Sequence, residues 1–101
     1  MPDLSTLTQE QFEACLMQPF QIDLGDDGPL ELLLTEANKR GSFDPGFQKR
    51  HPFSLIFRGP MEPILPQMTY TLRHAELGEL GIFLVPVGPD QAGMCYEAAF
   101  T

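Results

Sequence analysis

Ten prolines and nine glycines are spread along this chain and separate one apolar run from the next. Proline lacks a backbone N–H and glycine carries a large conformational entropy, so neither residue suits the interior of a long helix. Breakers dispersed in this way are typical of folds built from many short strands and turns. Between them, apolar and polar residues alternate, which predicts strands with one face turned toward a core.

The strand signal is carried by six stretches. They are PFQIDL (19–24), PLELLLTEA (29–37), PFSLIFRG (52–59), MTYTLRH (68–74), LGIFLVPV (80–87) and GMCYEAAF (93–100). Most connections between them are short, and GDDG at 25–28 is a strong turn signal. Short connections predict antiparallel neighbours, because a parallel pair needs a crossover of a dozen or more residues.

The N-terminal segment, 1–18, contains one helix signal, TQEQFEACLM at 8–17. Thr8 and Gln11 form a capping-box pattern, and Phe12, Cys15 and Leu16 have the spacing of one apolar stripe. Residues 1–101 are therefore expected to form a single, mostly β domain. The expected architecture is a small antiparallel barrel or sandwich of about six strands, with this one short helix plugging an open end. The expected core is Phe53, Leu55, Phe57, Tyr70, Leu72, Ile82, Leu84, Tyr96 and Phe100, with Phe12 and Leu16 docking from the helix.

LGELGIFLVPVGPD, at 77–90, is the most apolar stretch and contains a GxxG at Gly78 and Gly81. A phosphate loop with this spacing would place glycine N–H groups at a helix N-terminus, often with a cation nearby. Here Glu79 stands inside the loop and a strand pattern follows, so the phosphate and nucleic-acid interpretations are disfavoured. We expect a turn followed by a strand whose two faces are both covered.

The formal net charge is −8, which disfavours nonspecific attraction to nucleic acid or to anionic membranes. The longest uncharged apolar stretch is far too short to span a membrane, and the first residues lack a basic region and an apolar signal core. We therefore expect a cytoplasmic protein. Cys15 and Cys95 lie far apart without a metal-ligand spacing, so two buried, reduced thiols are expected.

FSLIFRGP, LPQMTYTLRHAELGELGIFLVPVGPD and YEAAF, which together dominate residues 53–101, resemble a family of small bacterial domains of unknown function. The match is looser over PFQIDL and LELLLTEA, and residues 38–51 do not contribute to it. The resemblance transfers no catalytic or binding residue. It implies a bacterial cytoplasmic protein with an assembly or accessory role beside phage-tail-like proteins.

A search for catalytic motifs finds none. The two histidines, His51 and His74, have unrelated spacing, so neither a metal site nor a cofactor is expected. His51 lies in a basic stretch, and a hydrogen bond within a turn is the leading expectation for His74 beside Glu76. Arg58 and Arg73 could bind an anion if their strands were adjacent, although cross-strand pairing with acids such as Glu97 is favoured. An enzyme or ligand-binding barrel with a pocket near Arg73, His74 and Glu76 remains the alternative function.

The strongest functional signal is NKRGSFDPGFQKRH, a long basic loop at 38–51. It has four bases against one acid, a charge of +3, while the rest of the chain has two bases against thirteen acids, a charge of −11. Long connections in compact domains are often functional. We predict a non-enzymatic interaction or assembly module that binds an acidic protein surface through this loop. A nucleic-acid backbone is the less favoured partner of the same loop. The proposed contact residues are Lys39, Arg40, Phe43, Phe47, Lys49 and Arg50. The structural alternative is that both phenylalanines pack into the body while the cations offset its acidity.

Overall fold

The computed structural model describes residues 7–24, 29–41, 46 and 51–100. These residues form one short helix and six strands, in chain order. Their bounds are α1 Gln9–Glu13, β1 Pro19–Asp23, β2 Pro29–Lys39, β3 Phe53–Gly59, β4 Met68–His74, β5 Gly78–Pro89 and β6 Met94–Phe100. Each predicted strand is therefore confirmed. Asn38 and Lys39, which the sequence placed in the basic loop, belong to β2.

The six strands close into an antiparallel barrel in the order β1-β2-β3-β6-β5-β4. This confirms the mostly β fold class and decides between its two forms, since a sandwich would leave sheet edges unpaired. Strands that are consecutive in the chain are paired as hairpins, with the exception of β3 and β4. The connection between these two, at 60–67, joins strands that are not adjacent in the barrel. The Tyr96 hydroxyl accepts a hydrogen bond from the Leu65 N–H at 2.9 Å and holds this connection to the barrel.

Alternation along the strands places one side chain in two inside the barrel. The nine strand residues of the expected core and Phe12 are buried, and the aromatic and aliphatic side chains of all six strands meet there. Leu16, which was expected to dock from the helix, is only partly buried and follows the end of the helix. Side chains less than 2 % exposed include Phe20, Phe53, Phe57, Leu72 and Tyr96. The interior is thus filled by side chains, as in other small barrels.

The helix packs against one end of the barrel. Phe12 is fully buried, and its ring lies 5.8 Å from that of Phe53 and 5.7 Å from that of Phe100, centroid to centroid. Phe53 and Phe100 stack on each other at 4.7 Å. We call this end, marked by Lys39, Phe53 and Phe100, the helix end. The expected plugging of one end by the helix is confirmed.

Two local expectations are wrong. The helix ends at Glu13 and not at Met17, whose φ is 65° and whose N–H donates to the Leu34 carbonyl at 2.7 Å. From Met17 onward the chain thus bonds to β2 instead of to the helix. Strand β5 is not covered on both faces either, because Phe83 and Val87 are about half exposed.

Candidate functional site

The basic residues that the structure describes in the predicted contact loop lie at the helix end. Lys39, the last residue of β2, places its Nζ 2.8 Å from Glu10 Oε1 on the helix. The hydrogen bond lowers the pKa of Glu10 and raises the pKa of Lys39. Both side chains are at least half exposed, so water and salt screen the pair and it adds little to stability.

Arg40 follows β2 directly and approaches a different strand. Its Nη1 lies 3.8 Å from Glu97 Oε2 on β6, at the limit of an ion pair. Its backbone N–H donates to the Pro52 carbonyl at 2.8 Å, which closes the base of the loop. The Arg40 side chain is 55 % exposed. Lys39 and Arg40 are therefore paired with acids of the same chain. Both pairs are exposed enough that a carboxylate of another molecule could take the place of Glu10 or Glu97.

The other four residues of the predicted contact set, Phe43, Phe47, Lys49 and Arg50, lie outside the described residues. Whether the two phenylalanines pack into the body, as the structural alternative requires, stays a prediction. The structure brings Lys39 and Arg40 to the same end of the barrel.

The alternative site is centred on His74, which proves to be a buried hydrogen-bonding residue. Its Nδ1 accepts the backbone N–H groups of Glu76 and Leu77, at 3.1 and 3.2 Å. Because Nδ1 accepts, the ring hydrogen lies on Nε2, which donates to Gln18 Oε1 at 2.7 Å. The ring also packs on Phe20 with centroids 4.6 Å apart. Both nitrogens are occupied, and the expected turn hydrogen bond is confirmed.

Arg73 is on the opposite face of β4 from His74, because neighbouring residues of a strand point to opposite sides. It lines an open depression of about 510 Å³ together with Pro19, Gln21, His74 and Ala75. Glu76 is not part of that lining. No ion pair joins Arg73 to another described residue. The three residues of the alternative site thus do not converge on one point: Arg73 and Glu76 are exposed, whereas His74 is buried.

One polar cluster was not anticipated. Arg58 donates from Nε and Nη2 to Asp90 Oδ2, at 2.9 and 2.6 Å, and Cys95 Sγ lies 3.5 Å from the same oxygen. The hydrogen bonds from Arg58 and then from the Ala92 N–H lower the pKa of Asp90 to about 2. Burial and the Asp90 carboxylate raise the pKa of Cys95. A raised pKa makes a thiol less reactive as a nucleophile at neutral pH.

The anion site considered for Arg58 and Arg73 does not form. Their strands, β3 and β4, are not neighbours in the barrel. The partner of Arg58 is Asp90 and not Glu97, which lies opposite Ile56 and Val85. Within the part of the chain that the structure describes, no three His, Cys, Asp or Glu side chains are grouped to hold a metal ion. None of its helices is long and apolar enough to cross a membrane.

A family model described as "Domain of unknown function (DUF6916)" matches residues 7–100, which includes the helix and all six strands. No curated protein and no solved structure matches the chain.

Proposed function

We propose that this chain, which belongs to the DUF6916 family of domains of unknown function, is a non-enzymatic module that binds an acidic protein surface through residues 38–51. The observation that carries the proposal is the charge distribution. Four of six bases stand in that segment, while the remainder of the chain carries an excess of eleven acids. A basic segment on an acidic domain attracts an acidic partner, while the acidic remainder of the domain repels it. The partner is thereby oriented toward the segment.

The two described basic residues of the segment could exchange their present acidic partners for those of another protein. Lys39 and Arg40 have side chains 50 % and 55 % exposed, and each is paired with an acid from another element of the chain. Exposed pairs of this kind are worth little in water. A partner that offers several carboxylates would replace Glu10 and Glu97 at small cost, and the released acids would return to solvent.

The rest of the molecule favours binding over catalysis. The barrel interior is filled, the nitrogens of His74 are taken up by hydrogen bonds, and the pKa of the Cys95 thiol is raised by burial and by Asp90. All buried side-chain nitrogen and oxygen atoms in the described residues have hydrogen-bond partners, so none of them is aimed at a substrate. An assembly role beside phage-tail-like proteins, which the family resemblance implied, is kept within this proposal.

Reversal of the basic charge tests the contact. The fourfold variant Lys39→Glu, Arg40→Glu, Lys49→Glu and Arg50→Glu should keep the far-ultraviolet circular dichroism of the wild type. The immobilised variant should not capture the proteins that the immobilised wild-type domain captures from an extract. Capture by the wild type should weaken as the salt concentration is raised. A second column loaded with single-stranded DNA tests the nucleic-acid alternative.

Arg73→Glu is the matched control, since it reverses an exposed base on β4 outside the segment. This variant should capture the same proteins as the wild type. If the fourfold variant also captures them, residues 38–51 are only a connection between β2 and β3.

The depression at Arg73 supports a second candidate, a small-ligand site for an anion. Arg73 is a base without an ion pair to another described residue, and the depression beside it could admit a metabolite-sized carboxylate. A thermal-shift screen of carboxylates and phosphates checks this candidate. A ligand that raises the melting temperature of the wild type but not of Arg73→Ala would favour it over the binding module.

A further inference from the structure

The six junctions between neighbouring strands are not equally strong. β3 pairs with β6 along its whole length, from Phe53 to Gly59, and β4 pairs with β5 from Met68 to His74. Among the described residues, the β1–β4 junction has two register pairs, Gln21 with Arg73 and Ile22 with Leu72. We call this junction the seam. Local opening of a folded protein begins where the fewest backbone hydrogen bonds must break together.

Packing over the seam is also thin. The depression of about 510 Å³ lies at its helix end, and a second, of about 390 Å³, is lined by Asp23, Thr71, Arg73 and Glu79. Arg73 lies between the two. Pro19, at the start of β1, has no N–H with which to extend the ladder toward the helix end. Water therefore reaches the outer side of the seam along most of its length.

Side chains hold the seam where the backbone ladder stops. The His74 imidazole joins Gln18, which precedes β1, to the N–H groups of the turn after β4. It also packs on Phe20 of β1. One ring thus bridges both strands of the seam at the helix end.

We propose that the barrel opens at the β1–β4 seam, with His74 and Gln18 as the clasp that keeps it closed. The opened molecule is a six-stranded sheet whose two edges are β1 and β4. Opening exposes Phe20, Ile22 and Leu72, which are buried in the closed barrel, together with two unpaired strand edges. The closed barrel pairs both of these edges, so they are available for hydrogen bonding only in the opened form.

Amide hydrogen exchange followed by NMR tests the opening directly. In the wild type, the amides that bond across the seam should exchange at least tenfold faster than those between β3 and β6, relative to their intrinsic rates. Gln18→Ala removes one arm of the clasp and should speed seam exchange up to about tenfold while the β3–β6 amides keep their rates. Gln67→Ala, at an exposed position in the β3–β4 connection, is the matched control and should change neither set.

A covalent lock gives an independent test. In a Cys15→Ala, Cys95→Ser background, the variant Gln21→Cys with Arg73→Cys places a disulfide across the seam at a register pair. Oxidation should slow seam exchange at least tenfold, and reduction should restore it. The matched lock Thr69→Cys with Phe83→Cys joins β4 to β5 and should leave seam exchange unchanged. Seam amides that are as protected as the β3–β6 amides, or that ignore the seam lock, overturn the proposal.

Discussion

At the scale of single residues, Asp90 shows how one carboxylate fixes a turn. Oδ1 accepts the N–H groups of Ala92 and Gly93, at 2.8 and 2.9 Å, while Oδ2 receives Arg58 from β3. The backbone N–H of Asp90 also donates to the Gly93 carbonyl at 2.8 Å. The tip between β5 and β6 is thus tied to a third strand through a single charged group.

Stability should therefore fall with acid in a way that depends on Asp90. The pKa of this carboxyl is lowered from 3.8 to about 2, so its charged form is favoured by folding. That contribution is complete above about pH 4 and is lost as the pH falls toward 2. Urea midpoints measured between pH 2 and pH 5 should decline less steeply for Asp90→Asn than for the wild type. Parallel declines would show that another group is responsible.

The sequence indicated the turn at Asp90 but not its partner. GPD is a turn signal, and Asp is chosen there because its side chain bonds the backbone two or three residues on. The identity of the partner depends on strand register. Arg58 lies opposite Cys95 in the β3–β6 pair, so its long side chain reaches the turn that precedes β6 rather than Glu97. A one-residue change in register would turn Arg58 to the other face of the sheet.

At the scale of elements, β5 explains how prolines and glycines are tolerated inside an apolar strand. A bulge between Pro86 and Gly88 interrupts its pairing with β6, and Gly88 adopts a φ of 122°, which side chains rarely permit. Pairing then resumes, with Pro89 opposite Met94. Sequence placed the strand at 80–87, whereas it runs from Gly78 to Pro89. The sequence predicted that the glycines and prolines at both ends would bound the strand. A bulge that accommodates them can be recognised only once the partner strand is known.

Gly93 makes the return from β5 to β6 possible. A Cβ at this position would overlap the Gly59 carbonyl oxygen, which is backbone and cannot move aside as a side chain can. Gly93→Ala should therefore destabilise the domain by about 1–3 kcal/mol, the usual cost of forcing atoms into a packed region. Urea unfolding monitored by circular dichroism measures the change.

Gly81→Ala is the control for that substitution. Its Cβ would meet only Thr69 Cγ2, at the ordinary contact distance of 3.8 Å. Because alanine restricts the unfolded chain, this variant should be neutral or slightly stabilising. Equal losses at the two glycines would mean that both strands are sensitive to any substitution and that the close approach at Gly59 does not matter.

At the scale of the whole molecule, alternation predicted which side chains face inward but not how the strands close. Every strand residue of the expected core is buried, from Phe53 to Phe100. The strand order depends on where the connection at 60–67 leads, and nothing in its composition shows that it skips a neighbour. The candidate sites show the same limit. The charge imbalance can be read from the sequence, whereas the hydrogen bond between His74 and Gln18 could not be predicted without knowing that β1 and β4 are adjacent.

The central core residue Phe57 tests whether the barrel unfolds as one unit. It is fully buried, its ring meets Phe20 edge-on with centroids 5.2 Å apart, and it lies opposite Leu34 and Tyr96 in the two neighbouring strands. Phe57→Ala should cost about 3–5 kcal/mol, because the lost burial is accompanied by a cavity that neighbours on three strands cannot fill. A small domain has about 5–15 kcal/mol in total, so the melting temperature should fall sharply. In a single cooperative core, tyrosine fluorescence and far-ultraviolet circular dichroism should report the same lowered midpoint. Two separated midpoints, or a melting curve like that of the wild type, would show that the strands around Phe57 do not share one core.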